Sequence, residues 1–433
     1  MPVEEPLFSR DGLFLLISSF LNTVPFGYIN VVPLVYLAEI GYDPSTIGVI
    51  YSASAVATTI GLIPCGLLAD RYGRKKLLLI GTFLPIVSYL IFGLTLDSSL
   101  LTVASIIGGV GFAGGLGGAA TSPPLFAMLA SSTAEKKRST IFGVLYGAWA
   151  VALALGSALS FLPTLFSMFL GLNEKSAHFD SYFVMSLVAA AAVLPLLFVK
   201  EKPNRTDPNR TSGPRSVVLA QEELSHQSRT FGFSVRSQSS IAQFSLIFTL
   251  TGFGLGVLVQ LLPTWFNLRY GVSETTVGVW MAVSDLATIV SIPLIPRLVS
   301  RRGDIFTAAS TGVVGAFVLG LMAFAVTFEA AASLFAIRSV IIGVSWAVVQ
   351  SYMMSAVTEN QRGTIVGFSY TTWGLGVSVG TLLGGELLGA GLLNLPFLAA
   401  VISYVSSSAA IWFFFRKAKP SEPVVHVLPR FGE

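Results

Sequence analysis

Residues 66–76 read Gly66-Leu67-Leu68-Ala69-Asp70-Arg71-Tyr72-Gly73-Arg74-Lys75-Lys76, and they mark an abrupt change from apolar to charged sequence. From about residue 46 up to this point the chain is mostly apolar, which is long enough for one helix across about 30 Å of bilayer hydrocarbon. Gly73 allows a tight turn that larger residues do not, and the basic cluster is suited to an anionic lipid surface. The stretch therefore predicts a short loop between two membrane-spanning helices.

The composition of the whole chain also indicates a membrane protein. Hydrophobic residues occupy 53% of the 433 positions and charged residues only 11%, whereas soluble proteins contain about 25% charged residues. The mean hydropathy is +0.76 and the pI is about 9.1, but the basic residues lie in short loops and form no stripe for phosphates. These values exclude a soluble enzyme and a nucleic-acid binder.

Cysteine and histidine are scarce. Cys65 is the single cysteine, so the chain can form neither an internal disulfide nor a cysteine metal site. The three histidines, His178, His226 and His426, lie in polar stretches. We therefore expect no histidine cluster for a metal or for catalysis, no metal site and no cofactor.

Twelve apolar runs are long enough to cross the bilayer. They cover residues 13–38, 46–68, 77–96, 99–129, 141–161, 181–199, 241–267, 275–299, 306–327, 330–357, 365–388 and 392–415. Five prolines lie inside these runs and predict kinks, which a membrane bundle tolerates because neighbouring groups satisfy the freed carbonyls. They are Pro25, Pro33, Pro64, Pro263 and Pro293. The sequence thus predicts an all-α membrane protein with twelve transmembrane helices.

The distribution of Lys and Arg orients the chain. Of the 26 Lys and Arg residues, only Lys175 and Arg269 lie in the loops of one side, and Arg338 lies inside a span. All others lie in the alternate loops and terminal segments, which the positive-inside rule assigns to the cytoplasm. We expect a multi-pass protein of the plasma membrane with both termini in the cytoplasm.

The chain contains an internal repeat. Residues 41–49 (GYDPSTIGV) align with residues 271–279 (GVSETTVGV), and residues 68–74 align with residues 298–304. Further matched pairs are Arg138 with Arg362, Tyr146 with Tyr370, Trp149 with Trp373 and Gly156 with Gly380. Six spans separate the copies, so the two halves share one orientation and can rock about a central site.

The repeat and a Pro-, Ser- and Arg-rich stretch divide the chain into four parts. We expect a six-helix bundle over residues 1–199, a cytoplasmic linker over 200–240, a second six-helix bundle over 241–415 and a cytoplasmic tail over 416–433. Linkers of this composition join domains without packing against them.

Residues 66–76 resemble the signature loop between the second and third spans of the major facilitator superfamily, G-x-x-x-D-R-x-G-R-[RK]-[RK]. With the twelve spans and the duplication, the resemblance covers nearly the whole chain. It implies two parallel six-helix halves and a secondary transporter that works by alternating access. It also implies that the protein is a functional monomer whose partners are a small-molecule substrate, protons and the lipid bilayer, without nucleic acid.

The resemblance further implies a conformational latch. Asp70 would face the amino end of a helix in the opposite half, where the helix dipole favours a carboxylate, and only while the cytoplasmic side is closed. A second acid–arginine loop occurs in each half, and Ser300 replaces the acid in the second copy of the first loop. The other expected latch residues are Gly66, Arg71, Gly73, Arg74, Glu135, Arg138, Glu359 and Arg362.

Two charged residues lie deep inside spans that line the central cavity in this family. Asp285 in span eight and Arg338 in span ten lie at similar depths, and charges in lipid normally face a partner or a cavity. We expect the two to pair, with Asp285 as the proton-coupling carboxylate and Arg338 as its modulator or as the anchor for an anionic substrate. Glu386, near the outer end of span eleven, is a second candidate.

A few polar groups among aromatic residues indicate a small-molecule site. Several such residues occupy spans one, five, seven, ten and eleven, two pairs of them at matching positions of the repeat. The expected cavity residues are Asn22, Tyr28, Asn30, Tyr146, Trp149, Gln260, Trp346, Gln350, Tyr370 and Trp373.

The substrate class stays open between two alternatives. Arg338 slightly favours a small organic anion, and the aromatic lining favours an amphipathic, drug-like solute that is exchanged for protons. The Gly-Pro pair of drug antiporters is replaced in span five by Gly156-Ser157, which weakens the second alternative. The sequence does not decide the direction of transport.

Other classes of membrane protein fit less well. A channel would not explain why only one half carries a complete signature loop. One intramembrane aspartate and no intramembrane histidine supply neither an aspartyl pair nor a histidine base, so we expect no enzyme. The chain has no G-x-x-x-x-G-K-[ST] loop and is therefore not an ATP-driven pump.

Overall fold

A computed structural model describes residues 8–111, 114–132, 138–200, 235–356 and 362–416. The regular secondary structure of these residues is helical, without a strand in any of the described ranges. The expected all-α fold class is confirmed. Most of the expected linker 200–240 and tail 416–433 lies outside the described residues.

Twelve helical elements follow one another in the described ranges, at the positions of the twelve predicted spans. They are α1 (Arg10–Ile29 and Val32–Glu39), α2 (Pro44–Tyr72), α3 (Arg74–Leu94), α4 (Ser98–Gly108 and Gly115–Ser131), α5 (Arg138–Ala158 and Leu162–Leu170), α6 (Glu174–Ala191 and Val193–Phe198), α7 (Val235–Val257 and Leu262–Tyr270), α8 (Glu274–Ile289 and Leu294–Arg302), α9 (Asp304–Met322), α10 (Phe328–Ser355), α11 (Arg362–Gly389) and α12 (Leu395–Phe415). Among the described residues, 9 segments are long and apolar enough to cross a membrane, or 10 when the bent α8 is counted as one span. The two elements outside this count of ten are α4, which is interrupted, and α11, which is a continuous helix.

The first and seventh elements are interrupted at matching places in the two halves. The first segment of α1 ends at Ile29 and the next begins with Pro33 in its first turn, while α7 pauses after Val257 and resumes with Pro263 in its first turn. Proline fits a first helical turn because its missing amide hydrogen has no partner there. The Tyr51 hydroxyl donates to the Ile29 carbonyl oxygen at 2.9 Å, so a carbonyl freed by the break is satisfied inside the bundle.

Proline also bends α8. Its two segments meet at 51° between Ile289 and Leu294, with Pro293 at the bend. The predicted interruptions are therefore present at Pro33, Pro263 and Pro293. Pro25 and Pro64 lie inside continuous helical segments.

The fourth element lies at the predicted span 99–129 but contains a break that the sequence analysis did not predict. Its helix ends at Gly108 and begins again at Gly115. Between them Gly109 and Gly111 adopt positive φ angles of 85° and 74°, which glycine reaches without the steric cost that side chains impose. The helix is interrupted there because these positive φ angles lie outside the right-handed helical region.

Matching glycines join the two halves, α1–α6 and α7–α12, through the pairs α2–α11 and α5–α8. A Cβ on Gly48 of α2 would lie 2.9 Å from the Cα of Gly385, and one on Gly278 of α8 would lie 2.6 Å from the Cβ of Ser160. Real Cβ atoms do not approach so closely, so each interface requires glycine. Gly48 and Gly278 align in the sequence repeat, and both bring a helix of one half against the other half.

Several hydrogen bonds between the halves lie at one end of the molecule, which we call the closed end. This end carries the loops 40–43, 171–173, 271–273 and 390–394. The Thr264 hydroxyl donates to the Leu34 carbonyl oxygen at 2.8 Å, and the Asn267 amide donates to the Glu39 carboxylate at 3.1 Å. The opposite end carries the loop at Gly73, and we call it the terminal end.

Glycine also makes the two signature loops of the terminal end. Gly73 connects α2 to α3 with a φ of 106°, and Gly303 connects α8 to α9 with a φ of 77°. Both angles lie in the region that favours glycine. The predicted tight turn at Gly73 is confirmed, and its repeat mate makes the same turn.

Lys75 fastens the signature loop to the end of α6. Its Nζ donates to the carbonyl oxygens of Leu197 and Val199 at 2.9 and 2.8 Å. These carbonyls lie at the carboxyl end of a helix, where a cation is favourable. We expect Lys75→Met to lower the free energy of unfolding by about 1 kcal/mol, seen as a lower thermal unfolding temperature in detergent.

Lys76 provides the matched control for this prediction, because it is exposed on the next position. Lys76→Met should leave the unfolding temperature unchanged within error. A Lys75→Met protein as stable as the wild type would show that the two hydrogen bonds contribute nothing.

Candidate functional site

Four expected cavity residues form an aromatic cluster in the second half with Phe248. The rings of Trp346 and Tyr370 lie 6.4 Å apart, those of Trp346 and Trp373 lie 6.5 Å apart, and Phe248 lies 5.7 Å from Tyr370. The Gln350 side-chain amide donates to the Tyr370 hydroxyl at 2.6 Å. Helices α7, α10 and α11 thus bring together four of the residues predicted for the substrate cavity, Trp346, Gln350, Tyr370 and Trp373.

A second aromatic cluster occupies the first half. The Trp149 indole donates to the Ser19 hydroxyl at 2.6 Å, and its ring lies 5.4 Å from Tyr146 and 5.9 Å from Phe126. Tyr146 is 54% exposed and lies near enough to Tyr370 of the other half for an electrostatic interaction. The two clusters occupy matching positions on helices α5 and α11, and Tyr146 and Tyr370 lie within electrostatic range of each other.

The other expected cavity residues lie around the breaks in α1 and α7. Gln260 is buried in the turn within α7. The carboxamide oxygens of Asn22 and Asn30 are buried without a hydrogen-bond partner among the described residues, which leaves them available to a solute or water. Tyr28 packs edge-on against Tyr182 within a buried cluster that contains side chains of both halves.

Asp285 links the two halves. Its carboxylate accepts a hydrogen bond from the Ser157 hydroxyl of α5 at 3.1 Å. Ser157 is buried, and its backbone carbonyl packs beside Gly278. Asp285 is therefore the one residue of the predicted pair that contacts the opposite half.

Arg338 does not pair with Asp285, contrary to the expectation from sequence. It is buried on α10 with its guanidinium 5.0 Å from the ring of Tyr404 on α12 and 5.9 Å from the ring of Phe335. Its Nε has no hydrogen-bond partner among the described residues. The two spans reach a similar depth, but their rotation about the helix axis, which sequence spacing does not give, turns Arg338 into its own half.

The remaining predicted residues lie away from these clusters. Glu386 is exposed near the closed end. Gly66 is half-buried, Arg71 is exposed with its guanidinium 5.5 Å from the Tyr72 ring, and Arg74 is the first residue of α3. Glu135 and Glu359 lie outside the described residues, and so do the side chains of Asp70, Arg138 and Arg362.

One buried charged pair was missed from the sequence. His178 Nε2 of α6 lies 3.0 Å from Glu274 Oε2 of α8, and the two side chains are 4% and 6% exposed. The predicted span 181–199 placed His178 outside the membrane helix, whereas α6 begins at Glu174. The signal was Asn173, whose side chain accepts from the Ser176 amide at 2.8 Å as a helix N-cap.

The His178–Glu274 pair lies within a set of contacts that join the halves at the closed end. The Tyr36 ring of α1 stacks on the His178 imidazole with 3.6 Å between centroids. The Thr164 and Thr275 hydroxyls of α5 and α8 lie 3.2 Å apart. The expectation that no histidine lies within a span is therefore wrong for His178, which lies in the candidate span Glu174–Phe198.

The same architecture and related sequences occur in known transporters. The model of the Major Facilitator Superfamily matches residues 15–381. The chain is 24% identical over 368 residues to Multidrug resistance protein 2 of Bacillus subtilis, covering 82% of this chain and 83% of that protein. It is also 24% identical over 368 residues to the proton-coupled antiporter flippase LtaA of Staphylococcus saprophyticus, covering 83% and 81%.

A solved structure shares the fold at low sequence identity. It is that of a bacterial homologue of the human lysosomal transporter Spinster in an inward-facing and occupied conformation. The TM-score is 0.70 at 16% identity, over 93% of this chain and 95% of that chain.

Proposed function

The chain belongs to the major facilitator superfamily, and from this premise we propose that it exchanges an amphipathic organic solute for protons by alternating access. Members of this family are transporters and not enzymes. The observation that carries the proposal is the presence of two aromatic clusters at matching positions of α5 and α11, one in each half. Large aromatic surfaces with few polar groups are suited to solutes that combine apolar area with a polar group.

The position of Arg338 supports one of the two substrate classes that the sequence left open. An anion site needs the guanidinium to reach the solute, but Arg338 is buried against Tyr404 inside the second half. The polar groups beside the clusters are neutral, namely Gln350 and the tyrosine hydroxyls. This arrangement favours an amphipathic solute over a small organic anion.

The contacts between the halves support an inward-facing assignment. We assign the terminal end to the cytoplasm because the basic residues concentrate there, and the closed end then faces the outside. The interhalf contacts of Asp285, His178 and Thr164 lie towards the closed end, whereas Tyr146, nearer the terminal end, remains 54% exposed. The protein would thus take up solute from the cytoplasmic side of the plasma membrane in this conformation.

Transport assays in proteoliposomes test the proposal directly. With an inside-acid pH gradient, we expect uptake of the aromatic cation ethidium that saturates and that a protonophore abolishes. Benzoate should not be transported, since no cation faces the aromatic clusters among the described residues. Benzoate uptake without ethidium uptake would establish the anion alternative, and non-saturating flux of either probe would indicate a channel.

The same assay tests the aromatic site. We expect Trp373→Ala to raise the half-saturating ethidium concentration about tenfold, because one aromatic contact contributes about 0.5–1.5 kcal/mol beyond area burial. Trp412→Ala is the matched control, since Trp412 is 44% exposed on α12 and contacts Phe306. Equal effects of the two substitutions would argue against a site at the clusters.

A further inference from the structure

His178 has two hydrogen-bond partners that fix its protons. Its Nδ1 lies 2.8 Å from the Glu174 carbonyl oxygen, and its Nε2 lies 3.0 Å from the Glu274 carboxylate. A backbone carbonyl can only accept, so Nδ1 carries a hydrogen. The Nε2–carboxylate contact then requires one further proton, either on Nε2 of an imidazolium or on the carboxyl group of Glu274.

The pair holds the same total number of protons whichever of the two groups carries this one. Removing it would leave the Nε2 lone pair facing a carboxylate oxygen at 3.0 Å, which is two acceptors without a donor. An unpaired contact of this kind between buried groups is unfavourable, because both groups have lost their water without gaining a partner. The arrangement seen here therefore contains a proton that it cannot lose without weakening the contact between the halves.

We propose that the His178–Glu274 pair is a proton-binding site whose occupancy holds the closed end shut. His178 belongs to the first half and Glu274 to the second, so the shared proton directly bridges the two bodies that move in alternating access. The inference rests on the alternating-access function proposed above, but it does not require Asp285 to be the coupling carboxylate.

The surroundings of the pair are consistent with a bound proton. The groups on α1 that face it are the Tyr36 ring, stacked on the imidazole, and the Glu39 carboxylate. Glu174 on α6 interacts electrostatically with both His178 and Glu274. The proton thus lies among carboxylates and without a basic side chain among these neighbours.

Two further tyrosines complete the set. Tyr28 of α1 and Tyr182 of α6 interact electrostatically with Glu274, and both are buried. Phenols ordinarily keep their protons until about pH 10, so they stay neutral over the range in which a histidine–carboxylate pair exchanges its proton. The two tyrosines therefore add nothing to the pH dependence of the closed end, which leaves the pair itself and the neighbouring Glu39 carboxylate.

The closed state binds one more proton than the open state, and this difference determines how pH shifts the equilibrium between them. Raising the pH removes the shared proton and destabilises the closed end, and lowering the pH closes it. For one proton, the ratio of open to closed molecules rises by up to about tenfold per pH unit. A proton arriving from the outside would close the outer gate and drive the carrier towards the inward-facing state.

Distance measurements across the closed end test the proposal without any substrate. Spin labels are attached to cysteines at Leu170 of the first half and Val326 of the second, which are 63% and 89% exposed, in a Cys65→Ala background. Double electron–electron resonance in lipid nanodiscs between pH 5 and pH 9 then reports the open and closed populations. We expect the longer distance to gain population as the pH rises.

Two variants replace the titrating proton by a permanent donor. In His178→Gln the amide nitrogen can donate to the carboxylate, and in Glu274→Gln it can donate to Nε2, so both should keep the closed distance and lose its pH dependence. Pairing two variants guards against one of them failing to fold, which size-exclusion chromatography reveals. A pH-independent wild type, or folded variants that retain the wild-type pH shift, would overturn the proposal.

The Asp285→Asn protein with the same labels separates this inference from the proposed function. We expect it to keep the pH-dependent distance change of the wild type. If Asp285→Asn abolishes that change while His178→Gln retains it, the proton that controls the closed end is at Asp285 and the inference is wrong. If His178→Gln abolishes the pH-dependent distance change but uptake shows no proton coupling, the inference stands and the proposed exchange of solute for protons fails.

Discussion

Replacing Gly278 with leucine should prevent the closed end from forming and reduce transport at least about tenfold. Even a Cβ at this position would lie 2.6 Å from the Cβ of Ser160, so α5 and α8 could not reach the observed contact. Overpacking of this kind costs about 1–3 kcal/mol. Here it destabilises only the closed state, in which α5 and α8 are in contact. A cost of 1.4 kcal/mol changes the population ratio about tenfold.

The measurement combines ethidium uptake with the distance between labels at Leu170 and Val326. Gly278→Leu should shift the distance to the open value while the protein remains monodisperse. Gly48→Leu, its mate in the repeat, should act in the same way through α2 and α11. Val279→Leu is the control, because Val279 is 50% exposed beside Gly278. Wild-type uptake by Gly278→Leu would show that the α5–α8 contact does not form during transport.

Asp285→Asn should abolish proton-driven uptake and preserve solute exchange. The amide keeps the size of the carboxylate and can still accept from Ser157, so the packing between α5 and α8 should survive. It can neither bind nor release a proton in this pH range, so the pH gradient can no longer drive accumulation. Counterflow of ethidium, which needs no net proton movement, should continue.

Ser157→Ala provides the complementary variant. It removes the hydrogen bond to Asp285 at 3.1 Å but keeps the carboxylate, so proton-driven uptake should persist, with an altered pH profile because the partner of the charge is lost. Unchanged, pH-dependent uptake by Asp285→Asn would exclude Asp285 as the coupling carboxylate.

The sequence predicted the fold more fully than the site. The apolar runs, the repeat and the signature loop led to the helical order and to the turn at Gly73, because these features depend on neighbours along the chain. The break in the fourth span was not predicted; Gly109 and Gly111 adopt positive φ angles there, outside the helical region. The aromatic residues of α10 and α11 lie in one cluster, and their role in a substrate cavity stays a prediction.

The charged residues show why the site could not be predicted in full. Depth along a span follows from counting residues at about 1.5 Å each, which suggested that Asp285 and Arg338 could meet. The direction in which a side chain points from its helix axis depends on how the helices pack. In this packing Arg338 lies beside Tyr404 and Asp285 lies beside Ser157. His178 was missed because a polar first turn was interpreted as a loop.

The amino-acid sequence alone determined the membrane location, the order of the helices and the family resemblance, because a bilayer forces each apolar segment to satisfy its own backbone hydrogen bonds. Only the tertiary structure decided which charged groups meet. His178 and Glu274 are 96 residues apart in the chain, and Ser157 and Asp285 are 128 apart. Such pairs form only when the two halves pack together, and no local pattern in the sequence gives the rotation of one helix relative to another.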